Sequence, residues 1–223
     1  MNELQKNNLQ AFFTMAFFNK HNTKLTEDRQ SRIAHVLNHK QNDLTVVLEN
    51  VNDPHNIAAV LRTCESVGIM EIFVLNTTLN TYKHFDDRKS SSANKWMIVH
   101  QYTNVDECFN HVRANYQHIY STHLAENTKA LYELDLTKSV ALVFGNERNG
   151  LSKEALAFCD GNFIIPQVGI IQSLNISVAC AVSLYEAFRQ KSVQQHYASK
   201  KLNAVQEKML LDHWELHVEG LDN

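Results

Sequence analysis

The sequence predicts an α/β protein: a parallel sheet flanked by helices, with short helical extensions at both ends. Three observations carry that class. Leu44–Leu48 is a continuous apolar run, the mark of a strand buried on both faces. Asp53-Pro54 follows as an N-cap and a proline at the first helical position, and Ile57, Val60, Leu61, Cys64 and Val67 then recur at helical spacing up to Gly68. Ile72–Leu75 is a second apolar run, which closes a βαβ unit and so a parallel pair with a right-handed crossover.

The remaining elements follow in order. Residues 1–23 read as an extra arm. Residues 26–39 read as a helix capped by Thr26, with acids in the first turn, an apolar stripe of Ile33, Val36 and Leu37, and Arg29 and Arg32 on the polar side. Beyond the βαβ unit the spacing predicts a strand over Trp96–His100, a helix over 104–115 and a strand over His118–Thr122. A connector over Leu131–Leu136 and a buried strand over Val140–Phe144 come next. The sequence GNERNG leads to a short helix over 152–159, and Phe163–Ile165 is a last β-branched strand stopped by Pro166. A long apolar helix follows, with Leu174, Val178, Ala181, Val182, Tyr185 and Phe188 on one face. Residues 203–217 form an amphipathic helix through Val205, Met209, Leu210 and Trp214. There is no repeat and no Pro/Gly-rich linker.

Composition excludes several classes. An apolar share of 44% with 20% charged residues describes a globular chain rather than a disordered one. No apolar run reaches membrane-span length, and the Phe-rich start lacks a basic lead and a cleavage site, so a cytoplasmic protein with no membrane partner is expected. The four cysteines are scattered without a C-x-x-C pair, which fits a reducing compartment. No His/carboxylate cluster stands out among the histidines, and no metal is expected. The net charge of −3 argues against indiscriminate nucleic-acid binding, yet basic residues concentrate in residues 1–40 and 189–201.

Ligands of open α/β sheets bind outside the carboxyl ends of the strands. Three of these ends are unusually polar: NDPHN (52–56), leading to Arg62; GNERNG (145–150); and IPQVGIIQSLN (165–175). Each has an ordinary reading taken alone. Arg62 is a solvated arginine pairing with Glu65, His55 a turn residue, Glu147 part of a surface turn, and Ser173 or Asn175 a helix cap. Solubility explains one such loop more easily than three. GNERNG is neither G-x-G-x-x-G nor a GK[ST] phosphate loop, which disfavours a nicotinamide oxidoreductase.

Together the three stretches carry a resemblance. N-x5-R-T (Asn56 to Arg62-Thr63), V-F-G-N-E-x-x-G-L-S (143–152) and I-P-x-x-G-x-x-Q-S-L-N-x-S-V-A (165–179) resemble the knotted SPOUT methyltransferases of the TrmH type. These move a methyl group from S-adenosylmethionine to a ribose 2′-hydroxyl of RNA. The resemblance covers about residues 26–216 and includes SANKW (92–96). The extensions are similar to those of the tRNA guanosine-2′-O-methyltransferase branch, which acts on the D-loop guanosine at position eighteen.

The resemblance implies a deep trefoil knot at about 140–190 and a homodimer with two composite sites. It implies an RNA-contacting N-terminal segment (1–42), a catalytic domain (43–190) and a C-terminal helical tail (191–223). It makes Arg62 the catalytic arginine, with Asn56, Glu147, Ser173 and Asn175 as further active-site groups. Main-chain contacts to the cofactor fall around Thr122, Gly145, Ile165 and Leu174. RNA contacts are expected from Arg29, Arg32, His55, Lys95, Arg189 and Lys191. The chain departs from its relatives in a short acidic tail and in Ser90-Ser91-Ser92 where they are glycine-rich. Alternative substrates are 23S rRNA or a tRNA wobble ribose, and a non-catalytic RNA-binding relative is the alternative class.

Overall fold

The computed structural model describes residues 16–78, 93–171 and 173–218; the Ser90–Ser92 patch and most of the expected N-terminal arm lie outside them. In chain order the elements are β1 (Phe17–Asn19), α1 (Glu27–His39), β2 (Leu44–Glu49), α2 (Pro54–Ser66), β3 (Glu71–Leu75) and β4 (Ile98–Tyr102). They continue with α3 (Val105–Asn115), β5 (His118–Thr122), β6 (Lys129–Ala130), β7 (Val140–Phe144), α4 (Lys153–Leu156) and β8 (Gly161–Ile164). α5 (Ile176–Val193), α6 (Ala204–His213) and β9 (Leu216–Val218) complete the chain.

Seven strands form one parallel sheet in the order β4-β3-β2-β7-β5-β8-β6. Period-two alternation gives the sheet two dry faces. Val46 and Leu48 of β2 pack toward α2 and α5, and Val47 packs toward α3 and α4. β2 and β7 lie at the centre, buried at every position; β7 is apolar throughout, and in β2 the buried Thr45 donates its hydroxyl to Glu71 O at 2.6 Å. The chain ends meet in a second, antiparallel sheet, where Phe17 pairs with Val218 and Asn19 with Leu216. A third apolar cluster, including Phe17, Ile33, Leu37, Leu210 and Leu211, fastens that sheet, α1 and α6 to Met70.

Several expected elements shift. Trp96 belongs to a 3-10 turn at Ala93–Trp96, so β4 starts at Ile98, whose N–H reaches Met70 O at 3.0 Å. Helix α4 stops at Leu156, because Asp160 N–H donates to Ile119 O and turns the chain into β8. The connector after β5 holds β6 and a 3-10 turn at Leu131–Glu133. Thr26 occupies the N-cap of α1 without a side-chain cap bond. On α6 the core takes Leu210 and Leu211, while Val205 and Met209 are exposed.

The largest correction concerns α5. The buried core takes Ile176, Cys180, Leu184 and Ala187, and Val182 and Phe188 of the expected stripe pack against it half-buried, whereas Val178 and Tyr185 are 47% and 52% exposed. The helix is apolar on more than one side, and spacing alone picked a stripe that straddles its buried and its open faces.

Candidate active site

The site is built where β2, β7 and β8 end. Asp53 leaves β2 in extended conformation and caps α2, its side chain accepting from His55 N at 2.9 Å, with Pro54 in the first turn. That fixed start presents Asn56 at the carboxyl edge of the sheet. Arg62 follows six residues on, about 9 Å further along the helix axis.

The β7 loop is held tightly. A Cβ on Gly145 would stand 2.4 Å from the carbonyl carbon of Gly150, so no side chain fits. Reciprocal bonds, Asn146 N to Gly150 O at 3.0 Å and Gly150 N to Asn146 O at 2.8 Å, close the loop. Gly150 takes the left-handed turn at φ +66°. Ser152 then caps α4 through Ala155 N, and its own N–H donates to the buried Glu49.

The β8 loop ends at Asn175, the N-cap of α5. Here three of the expected residues meet in a hydrogen-bond chain whose direction is fixed. Ser177 N–H donates to Asn175 Oδ1 at 2.9 Å, so the other side of that amide is a donor. Asn175 Nδ2 donates to Asn56 Oδ1 at 3.0 Å, and Asn56 Nδ2 in turn donates to the Glu147 carboxylate at 2.5 Å. Asn175 therefore does what both readings asked of it: it caps a helix and it is part of the polar site.

Ser173 is exposed, and no hydrogen bond joins it to this chain. Arg62 is exposed as well, and among the described residues it has no ion pair, with Glu65 or any other acid. Thr122, Gly145 and Ile165 stand at the ends of β5, β7 and β8, three strands that are neighbours in the sheet; Leu174 directly precedes the cap.

Of the residues expected to touch RNA, Arg29, Arg32, His55 and Lys95 are exposed. Arg189 is exposed but engaged, its guanidinium meeting Glu186 through two bonds of 2.9 and 2.8 Å. Lys191 is a correction: its side chain is fully buried and cannot reach a phosphate. Its ammonium donates to Thr137 O and Lys138 O at 3.3 and 3.0 Å and lies 2.9 Å from Asp43. Burial lowers its pKa, opposed by the Asp43 charge. A signal existed, since 191 is in phase with Ile176, Cys180, Leu184 and Ala187 on the buried face.

The sequence reading also passed over His35 and His39, one turn apart on α1 with ring centroids at 4.2 Å, and the His100–Glu71 contact at 2.7 Å. Among the described residues no group of three or more His, Cys, Asp or Glu converges as metal ligands would. No helix among them is long and apolar enough to cross a membrane.

The geometry agrees with what the chain is similar to. Residues 43–185 match the model of the SpoU rRNA Methylase family. The tRNA (guanosine(18)-2'-O)-methyltransferase of Thermus thermophilus is 40% identical over 191 residues, spanning 85% of this chain and 96% of that one. The enzyme of the same name from Escherichia coli is 36% identical over 165 residues, 73% of this chain and 70% of that one. The crystal structure of the Aquifex aeolicus TrmH/SpoU tRNA modifying enzyme superposes with a TM-score of 0.76 at 30% identity, over 85% of this chain and 95% of its own. An AdoMet-bound rRNA methyltransferase from Sinorhizobium meliloti superposes with a TM-score of 0.60 at 26% identity, over 70% of this chain and 59% of its own. With its parallel sheet, its polar loops and this match over most of its length, the chain belongs to the SpoU methylase family.

Proposed function

We propose that this protein is an S-adenosylmethionine-dependent RNA ribose 2′-O-methyltransferase, acting on the D-loop guanosine at tRNA position eighteen. The observation that carries the reading is the directed chain Glu147–Asn56–Asn175 at the carboxyl edge of the sheet, with Asn56 on the same helix as Arg62, which has no ion pair among the described residues. Similarity to enzymes named for guanosine 18, over 85% and 73% of this chain, supports the choice of RNA.

The residues present fit the cofactor. Gly145 has no room for a side chain, and with Thr122 and Ile165 it offers backbone groups at adjacent strand ends, to which Leu174 adds one directly before the α5 cap. When bound, S-adenosylmethionine supplies a methyl group already activated by its sulfonium, so the reaction needs no metal. What this chain adds is placement of the ribose oxygen and stabilisation of the charge it develops. A guanidinium stays protonated in proteins, which makes Arg62 a clamp for an RNA phosphate and a donor to the developing alkoxide rather than a base. Having no ion pair among the described residues leaves both functions open to it. Glu147, one oxygen held by Asn56, keeps the other for a ribose hydroxyl. Ser173 borders the same loop end. Phosphate contacts from Arg29, Arg32, His55, Lys95 and Arg189 orient the RNA without reading its sequence.

The working form is a cytoplasmic homodimer. Support comes from the apolar side of α5 and the loop before it, where Val168, Ile170 and Ile171 are exposed together with Val178 and Tyr185. The segments act as an RNA-contacting 1–42, a catalytic 43–190 and a tail 191–223. A trefoil knot over about 140–190 is supported by the ties at the end of α5. Gln190 accepts from Leu136 N and donates to Leu134 O, next to the Lys191 bonds, so the end of the helix is tied to the segment that precedes β7.

The test uses purified protein, tritiated S-adenosylmethionine and unmodified tRNA transcript, with nucleoside mapping of the product. A single 2′-O-methylguanosine in the D-loop is expected. Label in ribosomal RNA alone overturns the substrate, and no label in any RNA overturns the activity.

A further inference from the structure

The hydrogen-bond chain of the site ends on Glu147, whose own position is set by the loop that carries it. Asn146, immediately before it, spends its side chain in two directions. Its Oδ1 accepts from Arg148 N at 2.9 Å and from Asn149 N at 3.3 Å, which curls the loop around Glu147. Its Nδ2 donates to Asn50 O at 2.9 Å, crossing from the end of β7 to the end of β2. All three partners are main-chain groups with fixed roles, so the orientation of this amide is determined.

Asn50 is prepared for that bond. It is in the left-handed region at φ +54°, which turns the chain out of β2 after Glu49. Its side chain holds the turn from outside. Oδ1 accepts from Thr77 N at 2.9 Å, and the Thr77 and Thr78 hydroxyls lie at 3.3 and 3.2 Å. Nδ2 donates to Thr77 Oγ1 at 3.0 Å. The loop carrying Glu147 is thereby registered against the start of the segment that carries Asn56.

We propose that Asn146 is a positioning residue for the site: through Asn50 it sets where Glu147 stands, and through Glu147 it sets Asn56 and Asn175. Asn50 is its support. The role rests on the methyltransferase reading only for its kinetic readout.

Asn146→Asp tests it cleanly, because aspartate keeps the acceptor for Arg148 N and Asn149 N and loses the donor to Asn50 O. In a double-mutant cycle with Glu147→Ala, Asn146→Asp alone should lower kcat for methyl transfer at least about tenfold. In the Glu147→Ala background it should add less than about twofold, the non-additivity of residues acting as one unit. Independent, multiplying losses overturn the proposal. Hydrogen exchange of the Ser177 amide, which reports the far end of the chain, should quicken in Asn146→Asp and equally in Glu147→Ala. Unchanged exchange in Asn146→Asp overturns it. If Asn146→Asp does not fold, Asn50 carries the same test. Asn50→Gly keeps the left-handed turn and should retain more activity and slower Ser177 exchange than Asn50→Ala; the reverse order overturns the proposal. A wild-type protein that methylates no RNA sinks the functional reading, while the exchange measurements still decide the positioning role.

Discussion

Arg62 and Lys191 are both long cations on helices that pack against the same face of one sheet, and they end in opposite surroundings. Arg62 lies past the middle of α2, exposed and, among the described residues, without an ion-paired acid. Lys191 lies toward the amino edge, with no exposure, two carbonyls and Asp43 around its ammonium. Two other donors at the amino edge find main-chain acceptors as well: Lys40, also fully buried, donates to Ile69 O at 2.9 Å, and Tyr197 to Val67 O at 2.8 Å. The carboxyl edge joins Glu147, Asn56 and Asn175 to one another, and the helix whose first turn holds Asn56 carries Arg62 exposed further along. Residue type therefore says little about function here. What separates the two cations is whether the fold supplies their partners, because a buried charge costs several kcal/mol unless it is paired and hydrogen-bonded.

Two substitutions break this comparison from its two sides. Arg62→Ala should cost methyl transfer about 10²–10³-fold, the usual loss for a preorganised donor to developing charge. Cofactor affinity and melting temperature should stay close to wild type. A tenfold loss of cofactor binding, measured by titration calorimetry, would contradict the clamp role. Lys191→Ala should do the opposite. Removing one partner of a buried pair leaves Asp43 and two carbonyls without their cation, at about 3 kcal/mol of stability by denaturant unfolding. RNA affinity of the folded fraction should be untouched.

Lys40 sharpens the amino-edge side of the comparison through pH. Burial pushes its pKa from the ordinary 10.5 down to about 8, against the opposing pull of Glu65. The folded state thus releases the proton sooner than the unfolded state. Below about pH 8 both states hold it and the shift contributes nothing to the pH slope. Between about 8 and 10.5 only the unfolded state holds it, so stability rises with pH, by on the order of 3 kcal/mol in all. Lys40→Met removes that rise. Denaturant midpoints of both proteins at pH 7.5, 9 and 10.5 decide the matter (roughly the span of the titration), and parallel curves would refute the shifted lysine.

Much of this was legible in the sequence, for identifiable reasons. β2, α2 and β3 came from apolar runs bounded by Asp53-Pro54 and Gly68, signals that act locally and that tertiary structure left intact. The three polar loops were found as strand-end anomalies, and they do meet, at Glu147, Asn56 and Asn175. What failed depended on contacts between distant segments. α5 is apolar on several sides, and only the packing of α2 and the sheet decides which face is taken. Lys191 reads as a tail cation until Asp43 and the 137–138 carbonyls are set beside it. Asn50 and Asn146 carry ordinary turn signals, and their bond spans 96 positions of sequence.

Asn175 joins the two sides of the comparison, being both a satisfied structural group and part of the site. Asn175→Ala should lose a cap, about 1 kcal/mol of stability. It should also lose the anchor of Asn56, so activity should fall further than the stability change explains. Asn175→Asp separates the two: it keeps the acceptor for Ser177 N and has no amide to donate to Asn56. Wild-type stability with reduced kcat is the expected result, and full activity in Asn175→Asp would reduce Asn175 to a cap.

The smallest effects belong to the exposed cations, where the comparison predicts a graded series. Lys95 is exposed on the 3-10 turn that Trp214 supports through Trp96, ring centroids 5.4 Å apart. Arg29 and Arg32 are exposed on α1. Each should change RNA binding by one phosphate contact at most. Lys95→Ala, Arg29→Ala and Arg32→Ala should each lower the slope of log affinity against log salt by about one, uniformly across RNA sequences. Arg189 is held by Glu186 through two bonds and has to leave that carboxylate to reach a phosphate, so Arg189→Ala should change the slope less. Lys191→Ala should leave it unchanged. A slope change at Lys191 equal to that at Lys95 would mean that the buried ammonium is released when RNA binds, and the division between satisfied and reserved charge would fail at its clearest point.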